Sequence, residues 1–440
     1  MSSKWKPYTE YKQSGLEWFP KIPTHWDVKR VDWFMRDDKI QVTPSELGES
    51  VFHYSIPSLA ETGDGGIENS VEIGSTKFLI EEDTLLVSKL NPRKGMVLIA
   101  THRDLPTICS TEFVPLKPIE CDLSWAYFVL SSELTRNRLS SVVQSATRSH
   151  QRARPKHVTS MWHFVPPFQE QKQIGAKLLQ IEHAISASVT NLESQLILLE
   201  EKRSSIITQA VTKGLNLNVE MKNSGIDWLG QIPQHWKTAF LDKIIDSKRR
   251  ITYGIVQPGE PDPNGIFMVR GQNYSFGWSN PSEVFRVSPE IEAPYSRSRL
   301  KPGDILLTIV GAGTGNIAIV PDWLDGANIT QTTARIVIDK KYGFNRFFAY
   351  LLQSDIGVTS VEKSVKGAAQ PGLNLGHLAK FRILIPPINE QKEIVNHLDN
   401  STKSIDEVIV LISQKIAKLK EYRTALISAA VTGKIDLRGL

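Results

Sequence analysis

The stretch SGLEWFPKIPTHW, residues 14–26, returns as SGIDWLGQIPQHW, residues 224–236. Ser, Gly, Trp, Ile, Pro, His and Trp coincide at an offset of 210. A second pair follows in the same order: VPPFQEQKQI from Val165 and IPPINEQKEI from Ile385, at an offset of 220. The likeness runs on through EEKRSSIITQAVTKG (200–214) and KEYRTALISAAVTGK (420–434), where Glu201/Glu421, Arg203/Arg423, Ile207/Ile427 and Val211-Thr212/Val431-Thr432 match. Two anchors repeated in one order mark an internal duplication.

The middles of the copies share pattern rather than identity. LIEEDTLLVSKLNPRKGMVLIA (79–100) parallels LKPGDILLTIVGAGTGNIAIV (300–320), with Glu82-Asp83 set against Gly303-Asp304. STEFVPL (110–116) corresponds to TQTTARIVI (330–338). Short apolar runs such as Leu85-Leu86-Val87, Val97-Leu98-Ile99, Phe267-Met268-Val269 and Ile305–Ile309, divided by glycine and proline, predict β-rich heads. Helix is predicted around Trp125–Leu139 and Asn345–Leu352. A repeated frame around diverged heads fits two heads doing one kind of job on different targets.

After Pro166-Pro167, apolar residues recur at Ile174, Leu178, Ile181, Ile185, Val189, Leu192, Leu196 and Leu199, the three-four rhythm of a coiled-coil seam. The second copy gives Ile394, Leu398, Ile405, Val408, Ile412, Ile416, Leu419 and Leu426. Proline before the start and Gly214 or Gly433 near the end punctuate each helix. A helix of some 45 residues spans roughly 65 Å. Only a short link separates the end of the first helix from the second SGxxW anchor. A second helix that pairs with the first must therefore run antiparallel to it, and the N-terminal anchor and C-terminal tail should meet. The alternative is two separate coiled coils, each paired with another chain. The expected architecture is α+β: two β-rich heads separated by two long antiparallel helices, with a pseudo-twofold repeat. The first head covers 1–165, its helix 166–214, the second head 215–385 and its helix 386–440.

Bulk properties narrow the class. The 440 residues are 40% hydrophobic and 22% charged, a globular balance, and the net charge of +5 permits a polyanionic partner. No apolar run approaches a membrane span, and MSSKWKPYTEYKQSG lacks a signal peptide's apolar stretch, so the expected compartment is the cytoplasm. Two cysteines, Cys109 and Cys121, argue against a zinc cluster or a disulfide framework.

Charge is uneven in the first head. From Leu134 to Gln169 there is no acid, while Arg136, Arg138, Arg148, Arg152, Arg154, Lys156, His150, His157 and His163 crowd the stretch. Its core, ATRSHQRARPKH, has the donors that phosphates and guanine edges accept, so Arg148, His150, Gln151, Arg152, Arg154 and Lys156 are candidate DNA contacts. A solvated basic loop is the plain competitor. SKLNPRKG adds Asn91, Arg93 and Lys94. In the second head, SVKGAAQPGLNLGH offers Lys366, Gln370 and Asn374; VRGQNYSFG offers Arg270, Gln272, Asn273 and Tyr274; VGAGTGN offers Thr314 and Asn316 beside bare glycine backbone. Lys248-Arg249-Arg250 and Tyr253 complete the set.

Motifs of catalysis are missing. GAGTGN is followed by IAIVP, a strand pattern, which makes it a hairpin turn rather than a dinucleotide loop. There is no GxxxxGK[ST], no [DNS]PP[YFW] and no HExxH. His25 and His235, flanked by proline and tryptophan in both copies, are read as packing residues that fix head to helix end.

The order SGxxWxxxIPxHW, a variable head, PPxxEQKxI and a long helix ending in AVTxGK or a variant, twice over, resembles the specificity subunit of Type I restriction–modification enzymes. The resemblance covers the whole frame, while the heads match in outline. It implies a non-catalytic, sequence-specific DNA-binding subunit whose heads each read half of a split target and whose helices set the gap. It also implies partners: double-stranded DNA, two methyltransferase subunits, and restriction/translocase subunits. The chain itself needs no cofactor; S-adenosylmethionine, ATP and Mg are expected on the partner subunits. The competing class is a coiled-coil adaptor whose heads bind protein.

Overall fold

A computed structural model of the chain describes residues 5–17, 19–145, 151–216, 218–275, 277–365 and 372–438. Two long helices dominate, Phe168–Lys213 with 46 residues and Ile388–Val431 with 44. Each ends on a glycine in the left-handed region, Gly214 (φ 73°) and Gly433 (φ 71°), where a side chain would be strained. The chain folds as two compact units. One comprises Met1–Glu193 with Gln414–Leu440, the other Ser194–Ser413. Each unit thus holds a head, the start of one long helix and the end of the other.

In the first unit the helices run antiparallel: Arg423 faces Glu182 at 3.5 Å and Lys420 faces Glu193 at 3.0 Å. In the second unit the repeated arginine, Arg203, pairs with Asp406 at 2.7 Å. Ile174, Leu178, Ile185, Val189 and Leu192 are buried along the seam, as are Ile394, Leu398, Ile405 and Ile416. Val408 is a correction: it is exposed, and the half-buried Ile409 occupies the seam between Ile405 and Ile412. Two adjacent β-branched residues make the periodicity ambiguous there, and the 4-3-4 step through Ile409 is the one that keeps the stripe on one face.

Both heads carry a four-stranded antiparallel sheet, beside a second sheet of five strands in the first head and three in the second among the described residues. In the first, a four-stranded antiparallel sheet has the order Val97–Ala100, Thr84–Ser88, Phe113–Pro118, Met35–Asp37. In the second the order is Ile317–Ile319, Ile305–Thr308, Thr333–Ile336, Thr252–Tyr253. The registers coincide at an offset of 220: Leu85 pairs with Leu116 and Leu86 with Pro115, while Ile305 pairs with Ile336 and Leu306 with Arg335. This register moves the sequence parallel by one residue. Asp304 stands opposite Thr84, and Gly303 opposite Asp83. A parallel pair recurs too, with Tyr54 beside Cys109 and Val269 beside Ile329. GAGTGN does turn a hairpin, between Ile305–Thr308 and Ile317–Ile319. The predicted head helices are Leu123–Ser131, Glu133–Ser141 and Asn345–Gln353.

The repeated anchors have a chemical reason. Glu170 is 5% exposed and accepts from the Tyr8 hydroxyl (2.6 Å), His25 Nε2 (2.7 Å) and Trp26 Nε1 (3.1 Å). Glu390 accepts from His235 Nε2 (2.8 Å) and Trp236 Nε1 (3.0 Å). The next residue is as busy. Gln171 donates to the Pro166 carbonyl (2.9 Å) and accepts from the Asp122 N–H (2.9 Å). Gln391 donates to the Pro386 carbonyl (2.9 Å) and the Tyr342 carbonyl (2.8 Å), and accepts from the Phe344 N–H (3.2 Å). In each PPxxEQK the glutamate binds the His-Trp anchor and the glutamine ties the head's helix region to the helix start.

In the first unit the two ends of the chain meet. Trp5 Nε1 donates to the Tyr422 hydroxyl (2.9 Å), the Tyr11 hydroxyl to the Gly433 carbonyl (3.1 Å), and the Asp436 N–H to the Lys6 carbonyl (2.8 Å). Gly433 leaves no room for a side chain: a Cβ there would sit 2.5 Å from Pro23 Cδ. Cys109 and Cys121 are free and buried, and burial pushes both thiols up to about 12.

Candidate nucleic-acid interface

Two of the basic stretches marked in the sequence come together in the first head. The loop between Thr84–Ser88 and Val97–Ala100 runs against residues 151–153. The Ala153 N–H donates to the Lys89 carbonyl (2.9 Å) and the Asn91 N–H to the Gln151 carbonyl (2.7 Å). Asn91 Oδ1 accepts from the Gln151 N–H at 3.3 Å. Asn91 is the one non-glycine residue with positive φ (48°) among those described, a conformation asparagine tolerates better than most. It starts the Pro92–Lys94 turn, which sets Arg93 and Lys94 in solvent. Arg152 is exposed and pairs with Glu112 at 2.8 Å. Arg154 and Lys156 are exposed at the start of the Pro155–Thr159 helix. Arg148 and His150 lie outside the described residues.

Lys89, which the sequence did not mark, and Arg136 of the acid-free stretch lie beside this surface. The Arg136 side chain passes over Gly95, its Cδ 3.1 Å from where a Cβ would stand. Burial, and then the Lys39 and Arg152 charges, hold the Lys89 ammonium below its ordinary value against the pull of Glu112. His163, though inside the acid-free stretch, is no part of the surface. It is buried, and burial followed by the Arg138 charge pushes it down to about 3.

The second head repeats the construction on different side chains. The Leu373 N–H donates to the Ile309 carbonyl (2.7 Å), the same bond as Ala153 to Lys89 displaced by 220 residues. Val310 bridges Gly372 as Leu90 bridges Arg152. The hairpin tip carries no charge. Gly311 (φ 102°) and Gly315 (φ 99°) turn it, the Thr314 hydroxyl donates to the Gly311 carbonyl (2.7 Å), and Asn316 Nδ2 donates to Ser275 Oγ (3.2 Å). Thr314 and Asn316 thus shape the tip. Lys366 and Gln370 lie outside the described residues, and Asn374 is exposed with its side chain capping Leu375–Ala379.

Two candidates are corrected. Arg249 makes a bidentate pair with buried Asp304 and donates to the Arg299 carbonyl at 3.0 Å, so it braces the head. Asn273 is buried; it accepts from the Arg270 N–H (2.8 Å) and donates to Ser279 Oγ (3.4 Å). Beneath them Arg335 is buried, donating to the carbonyls of Arg297 (2.7 Å), Arg299 (3.0 Å) and Arg250 (3.2 Å). Burial, then the Arg249 charge, pushes it down to about 10. Arg250, Tyr253 and Gln272 remain exposed, and the Arg270 guanidinium lies over the Phe285 ring at 4.3 Å.

Each head therefore presents a hairpin tip pinned to a downstream loop, with exposed donors and local positive charge. That arrangement offers the hydrogen-bond donors that phosphates and base edges accept. Residues 266–421 match the family model described as "Type I restriction modification DNA specificity domain". The EcoBI specificity subunit of Escherichia coli is 30% identical over 279 residues, 62% of this chain and 58% of that protein. The MjaVIII specificity subunit of Methanocaldococcus jannaschii is 23% identical over 426 residues, 96% of this chain and 95% of that one. A solved chain described under complex assembly and conformational transition of the type I R-M system shares the fold, with a TM-score of 0.61 and 16% identity over 94% of this chain and 99% of that chain. Over these stretches the chain is similar to the specificity subunits of Type I restriction–modification enzymes, and the second head carries the match to their DNA specificity domain.

Proposed function

We propose that each head reads one half of a bipartite duplex target and that the length of the two helices fixes the gap between the halves. The chain supplies the address and takes no chemical step. S-adenosylmethionine, ATP and Mg belong to partner subunits: two methyltransferase subunits and the restriction/translocase subunits. The observation that carries this reading is the doubled head, in which one backbone bond pins hairpin to loop in both copies (Ala153 to Lys89, Leu373 to Ile309) around unrelated side chains. Docking of methyltransferase subunits is supported by Ile197, Leu198, Val410 and Leu411, which stand exposed on the long helices in the second unit. No helix among the described residues is long and apolar enough to cross a membrane.

The test is methylome sequencing of a host with and without this chain, followed by a variant with four residues inserted in both helices. A split modified motif is expected, and its spacer should lengthen in the variant while both half-sites persist. New half-site bases in the variant would remove the helices from the role of ruler. A salt-independent gel shift, or none with the methyltransferase present, would favour an adaptor whose heads bind protein.

A further inference from the structure

The two heads differ at the end of one strand. Val269 and Tyr54 occupy equivalent places, beside Ile329 and Cys109 in their parallel pairs. In the first head the next residue, Ser55, caps the Ile56–Thr62 helix, its Oγ accepting from the Ser58 N–H at 3.2 Å. That helix carries no basic residue. In the second head the next residue is Arg270, and a tight turn, Gly271–Asn273, replaces the helix.

The turn is locked from below. Asn273 holds the Arg270 N–H and Ser279 Oγ. The buried Tyr274 hydroxyl meets Thr308 Oγ1 at 2.7 Å. Gly271 packs so closely on the same threonine that a Cβ would lie 2.8 Å from its Oγ1. Above, the Arg270 guanidinium carbon stands 4.3 Å from the centre of the Phe285 ring, and the side chain is half-buried. Gln272 is exposed beside it. The two side chains border a cleft of about 510 Å³ whose wall includes Ser275, Thr308, Gln331 and Thr332, amides and hydroxyls without a carboxylate. A second cleft that Arg270 and Gln272 also line holds Asp262 and Glu283 together with Arg286. The first cleft, with no carboxylate in its wall, offers a phosphate no repulsion. There the glycine hairpin tip also borders the cleft through Gly313, and a tip without long side chains permits close approach.

We propose that, within the bipartite-target reading above, the second head reads its half-site from this turn, Arg270 taking a guanine edge and Gln272 an adenine edge in the major groove. The chemistry fits: a rigid guanidinium fork matches guanine O6 and N7, and a carboxamide matches adenine N6 and N7. The first head, with a helix at this place, reads instead through its basic hairpin and the 151–156 segment. One scaffold thus deploys its readers at two different places.

The test is selection of duplexes, with both half-sites randomised, by the full chain in complex with its methyltransferase subunits. Wild type, Arg270→Ala, Arg270→Lys and Gln272→Ala are compared by sequencing the bound pool and by the salt dependence of affinity. The expected result for Arg270→Ala is loss of preference at one G·C position of one half-site, by roughly 5- to 150-fold, the range of a bidentate contact. Arg270→Lys relaxes the same position, because charge without the fork does not restore the contact. Gln272→Ala relaxes an A·T position in the same half-site. Uniform weakening with a salt slope reduced by about 1 would make Arg270 a phosphate contact and overturn the proposal. So would an unchanged selected sequence. If wild type selects no sequence at all, the bipartite reading itself fails. Wild-type selection that the variants leave intact refutes only the turn.

Discussion

Removing the Glu170 carboxylate should cost about twice as much as removing Glu390, although the two occupy the same place in the repeat. Glu170 is 5% exposed and receives three donors; the Glu390 side chain is 23% exposed and receives two. Hydrogen bonds to a charged group contribute about 1.5–3 kcal/mol, and a buried donor left unmade costs about 1–3 kcal/mol. Glu170→Ala strands two buried donors, the Tyr8 hydroxyl and Trp26 Nε1, while half-exposed His25 turns to water. Two buried donors at about 2 kcal/mol each give about 4 kcal/mol. Glu390→Ala strands one, Trp236 Nε1, because exposed His235 rehydrates, giving about 2 kcal/mol. The chain has two compact units, so a single two-state midpoint is not a valid readout. Hydrogen exchange is the right assay. Glu170→Ala should deprotect residues 8–26 and 430–438, where the chain ends meet, and spare 231–236; Glu390→Ala should do the converse. Equal losses, or deprotection of the same segments by both variants, would refute the accounting.

Two further outcomes follow from buried charge. His163 titrates near 6.5 in the unfolded chain but only at about 3 when folded, so below pH 6.5 the unfolded state binds more protons and stability falls with pH. At pH 5 the deficit is about 2 kcal/mol, at about 1.36 kcal/mol per unit; His163→Ile, which installs the residue found at 383, should recover most of it in the hydrogen-exchange protection of the first unit at pH 5 and little at pH 7.5. Adjacent arginines should separate cleanly: Arg249→Ala strands buried Asp304 at a cost of about 3 kcal/mol, whereas Arg250→Ala changes stability by less than about 0.5 kcal/mol and instead lowers the salt slope of DNA binding by about 1.

The frame was readable because its contacts run through side chains of fixed chemistry. A carboxylate receives an imidazole and an indole together at the helix start, and a carboxamide of the same reach both donates to the Pro166 carbonyl and accepts from the Asp122 N–H. Hence Glu, Gln, His and Trp repeat in place. The helices were legible for a related reason, since a seam of Ile174, Leu178, Ile185 and Val189 has a period. Where two β-branched neighbours compete, as at Val408 and Ile409, the period alone did not choose. The heads were not legible beyond their strands. The parallel pairing of Phe52–Tyr54 with Thr107–Cys109 joins segments far apart in sequence. Buried Arg335, Lys117 and His163 interrupt patterns that otherwise signal surface. Arg249 and Asn273 misled because a donor in a loop looks the same whether it braces the loop or faces solvent.

The distribution of identity between the copies follows from which contacts are made by backbone. The bond that pins hairpin to loop runs from the Ala153 N–H to the Lys89 carbonyl in one head and from the Leu373 N–H to the Ile309 carbonyl in the other. Main-chain groups make it, so every side chain around it is free to change while the loop stays in place. Ala and Leu, Lys and Ile satisfy it equally, and no sequence signature of it survives. The His-Trp-Glu anchor is the opposite case, a contact that loses its donors or its acceptor with one substitution. Loops held by backbone and a frame held by side chains can diverge at different rates, and a chain built this way changes the side chains of its loops without losing its fold. Arg93 and Lys94 accordingly sit on a turn whose place beside residues 151–153 is set by main-chain bonds, whereas the turn of Arg270 and Gln272 is held by side chains of its own head, Asn273 and Tyr274.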